Sequence, residues 1–168
     1  MASGDVRRLV EELAASLEEL RRVGESFAEA RERLKALSMQ GLPFRLPAFP
    51  EVALTYNVDI ELPEELGLLR EGLPRRVKRV TVEVREEKRG VRAVIEVEGE
   101  GGWRLVGLSA FDMLGDFYAA AVLWDLLRQH GVDFLADLKR VVEERVEALK
   151  RMIERLNQLA ALLQVALA

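Results

Sequence analysis

The residues of this chain that carry chemistry crowd into residues 73–92, LPRRVKRVTVEVREEKRGVR. Eight cations stand there: Arg75, Arg76, Lys78, Arg79, Arg85, Lys88, Arg89 and Arg92. Glu83, Glu86 and Glu87 oppose them, so the segment sums to +5 while the whole chain is −4 and the remainder carries −9. The apolar residues alternate, as in a half-buried strand. A two-residue turn at Lys88-Arg89 makes the pattern self-consistent. Val84 then faces Ala93, Val82 faces Ile95 and Val80 faces Val97, all on one apolar face. On the other face Arg79 meets Glu98, Thr81 meets Glu96, Glu83 meets Val94 and Arg85 meets Arg92. Two like charges directly opposite destabilise a sheet unless an anion lies between them.

The chemistry such a face offers is the binding of a polyanion. Single-stranded nucleic acid calls for a cationic surface with flat π-surfaces beside it, where stacking is worth about 1–3 kcal/mol per base. Trp103 and Arg104 follow the hairpin, and Phe44 and Phe49 precede it. Readers of duplex DNA more often present a basic helix, and none of these helices is strongly basic. The bland alternative is a solvated face whose arginines pair with Glu86, Glu87 and Glu96.

Other chemistry finds little support. With one histidine and no cysteine, common triads, thiolate metal sites and disulfides are excluded. No phosphate-binding glycine loop is present. Asp112 and Asp116 share a helical face, but Asp112 suits a first-turn cap and no third metal ligand is evident. His130, before Gly131, suits a helix C-terminus. The chain is therefore read as a binding protein and not an enzyme, with no cofactor, metal or small-molecule substrate. The charged start shows no secretory leader, and Asp112, Asp116 and Asp125 make the apolar run at 108–127 a poor membrane span. The expected location is cytoplasmic. Twenty Arg against five Lys, with two Asn and four Gln, lean towards a hot habitat.

These residues need elements to hold them. Residues 5–38 read as one long helix, with Val6, Leu13, Leu20, Phe27 and Leu34 every seven residues. Gly24 inside it marks a place where another helix comes close. Three prolines in 41–50 favour an extended arm lying along the body. Strands follow at 52–62, 77–87, 90–98 and 103–107, with a connection at 63–74 in which Pro63 suits the start of one helical turn. If the loop at 99–102 has four residues, Trp103 and Leu105 share a face with Glu96 and Glu98; one residue more or fewer turns both inward. A helix from Ser109 to His130 is expected to cover one face of the sheet.

From Asp133 a last helix repeats apolar residues at 3-4 spacing: Leu135, Leu138, Val142, Leu149, Met152, Leu156, Leu159 and Leu163, broken by Arg145. That is a leucine-zipper register. Its flanking positions, Phe134, Val141, Val146 and Ile153 among them, are also apolar, so the stripe is wider than one partner covers. One reading packs it antiparallel on the N-terminal helix. The other packs it on further copies, as a dimer or tetramer. The fold class is thus α+β: a four-stranded antiparallel sheet covered on one face by helix, between a long N-terminal helix and a C-terminal leucine-zipper helix. The division is 1–40, 41–131 and 132–168.

This order of elements resembles the ThermoDBP-related proteins of thermophilic archaea. The resemblance rests on VALTYNVDIEL, on RRVKRVTVEV…GVRAVIEVEGE and on LKRVV…LLQVALA, and spans roughly 52–168. It implies sequence-tolerant binding of single-stranded DNA or RNA in an apolar cleft rimmed by basic side chains, and assembly through the zipper, without a cofactor. Two rivals stand beside it. Paired terminal helices around a β region look like prefoldin, a chaperone, and LSAFDMLGDFY is vaguely similar to a helix of the Pcc-type scaffold subunits.

Overall fold

The computed structural model describes residues 2–38, 46–87, 90–100, 102–107 and 114–167. Helix α1 spans Ala2–Ser38 and is followed by strands β1 (Val52–Glu61), β2 (Arg76–Glu87), β3 (Gly90–Gly99) and β4 (Gly102–Gly107). Helices α2 (Leu114–Arg128) and α3 (Phe134–Leu167) complete the chain. The class is α+β. The strands pair antiparallel in the order β1-β2-β3-β4. The connection after β1 carries a 3-10 turn, Glu64–Leu68, entered through Pro63.

The β2–β3 register is the one that the alternation dictates. Val84 pairs with Ala93, Val82 with Ile95, Val80 with Val97 and Arg85 with Arg92. The inner face of these strands is fully buried: Val80, Val82, Val84, Ala93, Ile95 and Val97. α2 contributes Leu123 and Leu127 to the same core. It does not cover the face alone, as the sequence reading supposed. α1 and α3 lie there too: Val91 of β3 packs against Gly24, Arg31 of α1 pairs with Glu86 of β2, and Tyr56 of β1 donates to Asp137 of α3 at 2.7 Å. Leu13, Leu20, Phe27, Ala30 and Leu34 of α1 belong to one core with the sheet and with α3. The three segments of the sequence reading therefore share a single interior.

α1 and α3 run parallel. Glu12 meets Lys139 at 2.9 Å, Glu19 meets Lys150 at 3.0 Å, and Arg33 donates to Asn157 at 2.9 Å, so residue numbers rise together along both helices. The antiparallel pair expected within the chain is thus replaced by a parallel one. The strands and α2 bring the chain back beside the early turns of α1 before α3 begins. The zipper seam is filled from within. Leu135, Leu138, Val142, Leu149 and Leu156 are buried in the single chain, as are the flanking Phe134, Val141 and Val146. Met152 and Leu163 are half-buried and Leu159 is exposed. The stripe is wide because it faces both α1 and the sheet. The buried members pack within the single chain. Arg145, the break in the seam, is half-buried, with Nε shielded from solvent.

The ends of the helices follow local chemistry. Asp133 caps α3 by accepting from the backbone N–H of Ala136 at 3.2 Å, and also accepts the indole N–H of Trp124 at 2.7 Å. α2 ends in a Schellman turn: Val132 N–H donates to the Leu127 carbonyl and Gly131 N–H to that of Arg128, with Gly131 at φ +80°. The helix start expected at Ser109, the cap expected from Asp112 and the side chain of Asp116 lie outside the described residues. On the arm, Phe49 is buried edge-on to Phe27, as a docked arm requires, while Phe44 lies outside the described residues.

Gly24 marks a close approach, but of a strand and not of a helix. A Cβ there would stand 2.6 Å from Val91 Cγ2 and 3.0 Å from its Cβ. Gly24→Ala gains about 1 kcal/mol of helix propensity. It loses about 1–3 kcal/mol by forcing α1 off β3. The expected net result is a lower midpoint in thermal denaturation; a raised midpoint would show that β3 yields without cost.

Candidate nucleic-acid interface

The face of the sheet opposite the helices is built by the odd-numbered residues of β1 and β2 and the even-numbered residues of β3. Its rungs are Ala53–Glu83–Val94, Thr55–Thr81–Glu96 and Asn57–Arg79–Glu98, with Arg85–Arg92 beyond. The β1 positions are exposed and the charged positions of β2 and β3 mostly half-buried, while Thr81 and Val94 are buried as a floor.

Near Arg79 the regular pattern fails, and this shapes the site. The β1–β2 register shifts between Asn57 and Ile60, and the β2–β3 register shifts between Val77 and Arg79. A bulge adds a residue and resets the alternation. Val77 and Val80, three apart, are therefore both buried, and Lys78 and Arg79 between them both reach solvent. Arg75, Arg76, Lys78 and Arg79 form one cationic end of the sheet, with side chains 62%, 48%, 50% and 48% exposed. Simple alternation would have turned some of them into the core.

Each of these four has a carboxylate partner. Asp59, at the β1 irregularity, accepts from Arg76 Nε at 2.6 Å and from Lys78 Nζ at 3.0 Å. Those two hydrogen bonds, Arg76 first, hold its carboxyl well below the usual range. Arg75 pairs with Glu64 at 2.6 Å and Glu61 at 3.5 Å, and Arg79 with Glu98 at 3.6 Å. Apart from Arg79–Glu98, whose carboxylate is half-buried, these are exposed pairs of the kind that contributes about 0–1 kcal/mol.

The Arg85–Arg92 rung is real as register, but its electrostatic premise fails for Arg85. That guanidinium lies 3.4 Å from Glu83 and 3.7 Å from Glu96. Glu83 stands one rung from the pair and Glu96 two rungs, so the charge of Arg85 is offset within the sheet. Glu96 has its pKa raised, chiefly by burial and then by the neighbouring Glu83, against the lowering effect of Arg85. A carboxyl raised in the folded state stabilises below its unfolded pKa, and that contribution is lost as pH rises through the folded value. Glu96→Gln, which keeps the neutral form, is expected to raise the thermal midpoint at pH 7 and to leave it unchanged near pH 4. A lowered midpoint at pH 7 would mean that Arg85 depends on the charge of Glu96.

Trp103 stands opposite Glu98 and Leu105 opposite Glu96, the register of the four-residue-loop alternative. Arg104 is paired with Val97. The side chains of Trp103 and Arg104, and all of Lys88 and Arg89, lie outside the described residues. The structure thus gathers Arg75, Arg76, Lys78 and Arg79 and leaves Arg85 and Arg92 at the far end of the hairpin. Sequence reasoning missed Asp59, because β1 had not been aligned on β2. It also missed the Thr55–Thr81 hydroxyl contact at 3.4 Å on the open face.

Among the described residues no group of three or more side chains is placed to hold a metal ion, and no helix is long and apolar enough to cross a membrane. No protein-family model, curated protein or solved structure matches the chain.

Proposed function

We propose that this protein binds single-stranded DNA or RNA without sequence preference, as a cytoplasmic binding protein with no catalytic step and no cofactor. The site is the bulged end of the sheet, Arg75, Arg76, Lys78 and Arg79, with the open β1–β2 face running from it towards Arg85. One observation carries the reading: the bulge turns Lys78 and Arg79 outward together beside Arg76, where ion pairs at the surface hold them. Such pairs are weak, so a phosphate can replace a carboxylate at little cost. Release of counterions from the nucleic acid then favours the exchange. The short side chains of Ala53, Thr55 and Asn57 leave the surface beside the cations low enough for a backbone to lie along it. The resemblance to ThermoDBP-related proteins points the same way.

Fluorescence anisotropy of labelled single-stranded DNA, single-stranded RNA and duplex tests this. Both single strands are expected to bind more tightly than the duplex. Absence of binding to all three would overturn the reading and leave the chaperone and scaffold alternatives, which suppression of client aggregation separates.

A further inference from the structure

Strand β1 is an edge of the sheet, and its sequence does little to blunt that edge. Among the described residues its backbone is hydrogen-bonded to β2 alone. Every second residue therefore turns an N–H and a C=O away from the sheet. Edges are commonly blunted by lysine, proline or a bulge. Residues 52–58, VALTYNV, contain no charge and no proline, and the register irregularity comes after Asn57. The opposite edge, β4, is shorter and has α2 against it. Val52, Leu54, Tyr56 and Val58 are half-buried, whereas Val80, Val82 and Val84 beside them on β2 are buried. Along β1 the core is one strand short of cover.

We infer that this edge pairs with β1 of a second copy of the chain, antiparallel about a two-fold axis at Thr55, so that the two sheets become one. A row of free backbone groups is met in full only by another extended chain. The inner faces of the two copies fall on one side when odd residues meet odd and even meet even. With the axis at Thr55, Thr55 meets Thr55, Ala53 meets Asn57, Leu54 meets Tyr56 and Val52 meets Val58. Each half-buried apolar residue then gains an apolar neighbour, and no charge enters the pairing from 52 to 58. Charge complementarity at its two ends favours a second copy in this register. Glu51 stands opposite Asp59 of the other copy, where Arg76 and Lys78 share that one carboxylate, and so supplies the second anion for two cations. An axis one residue later sets Glu51 opposite Glu61, whose partner Arg75 is already shared with Glu64. An axis one residue earlier brings Pro50 opposite Val58, where it has no N–H to give. The contact is self-complementary and closes at two subunits. It does not rest on the nucleic-acid reading.

The test uses the whole chain and no nucleic acid. Analytical ultracentrifugation is expected to find a dimer at micromolar concentration. Thr55→Lys sets two like charges against each other on the axis. Because Thr55 is exposed, the variant is expected to keep its circular-dichroism spectrum while its dimer dissociation constant rises by about tenfold or more. The absence of cysteine makes single-cysteine variants unambiguous. Thr55→Cys alone is expected to form disulfide-linked dimers on oxidation, and Ala53→Cys to do so only when mixed with Asn57→Cys. A monomeric wild type, which would leave the edge to a strand of some other protein, a dimer that Thr55→Lys does not weaken, or Ala53→Cys linking to itself as readily as Thr55→Cys does would overturn the proposal.

Discussion

Phe27→Ala is expected to destabilise the protein by about 3–5 kcal/mol, the range for a large aromatic removed from a packed core. The side chain is 1% exposed. Its ring meets Phe49 of the arm edge-on at 6.4 Å, and the Arg31 guanidinium lies over it at 4.6 Å. Arg31 in turn pairs with Glu86 of β2 and lies 3.4 Å from the Pro47 carbonyl. The residue therefore joins helix, arm and sheet at one point, and its loss leaves a cavity that three elements would have to close together. A domain has about 5–15 kcal/mol of total stability, so the loss is a large fraction. Urea denaturation of the variant and the parent at equal concentration measures it. A loss under about 1 kcal/mol would show that α1 is an appendage, as the division at residue 40 implied, and not part of one interior.

Binding of nucleic acid should respond in opposite directions to two changes at the bulge. Arg76→Glu with Lys78→Glu replaces two cations by two anions, and is expected to weaken single-strand binding by more than about tenfold at 0.1 M salt, equivalent to about 1.4 kcal/mol. Asp59→Asn removes the carboxylate that both cations now hold. It is expected to tighten binding several-fold, because a phosphate no longer competes for Arg76 and Lys78. A general loss of folding would lower affinity in both variants, so the opposed signs separate an interface from a structural ion-pair network. Unchanged affinity in both would place the binding surface elsewhere.

Much of the sheet was legible. The hairpin register followed from alternation and turn length alone, because a slip of one residue would have moved every valine to the wrong face. What alternation could not show was where it breaks. Val77 and Val80 are both apolar, and only β1 and β3 pairing around Lys78 reveals the bulge that turns its neighbours outward. The burial of Leu135, Leu138 and Leu149 was legible, but not by what. A heptad states that a partner exists and leaves its identity open, and the parallel run of α1 depends on where the strands return the chain. Gly24 announced a close approach without naming β3. At Arg85 the like-charge pair was legible from the register and Glu96 was already a candidate partner; that Glu83, one rung away, and Glu96, two rungs away, both come within reach depends on side-chain placement that a register does not give. Asp59 was hidden for another reason: its partners are on a strand that sequence alone had not placed beside it.

The central claim is that Arg75, Arg76, Lys78 and Arg79 exchange weak carboxylate partners for phosphates. The most direct measurement is the affinity for a labelled single strand across a range of salt concentrations. Four phosphate contacts at about 0.7 each give a slope of log affinity against log salt near −3, and Arg76→Glu with Lys78→Glu should make it shallower by roughly half. A slope near zero, or one that the double variant leaves as it was, would contradict the account.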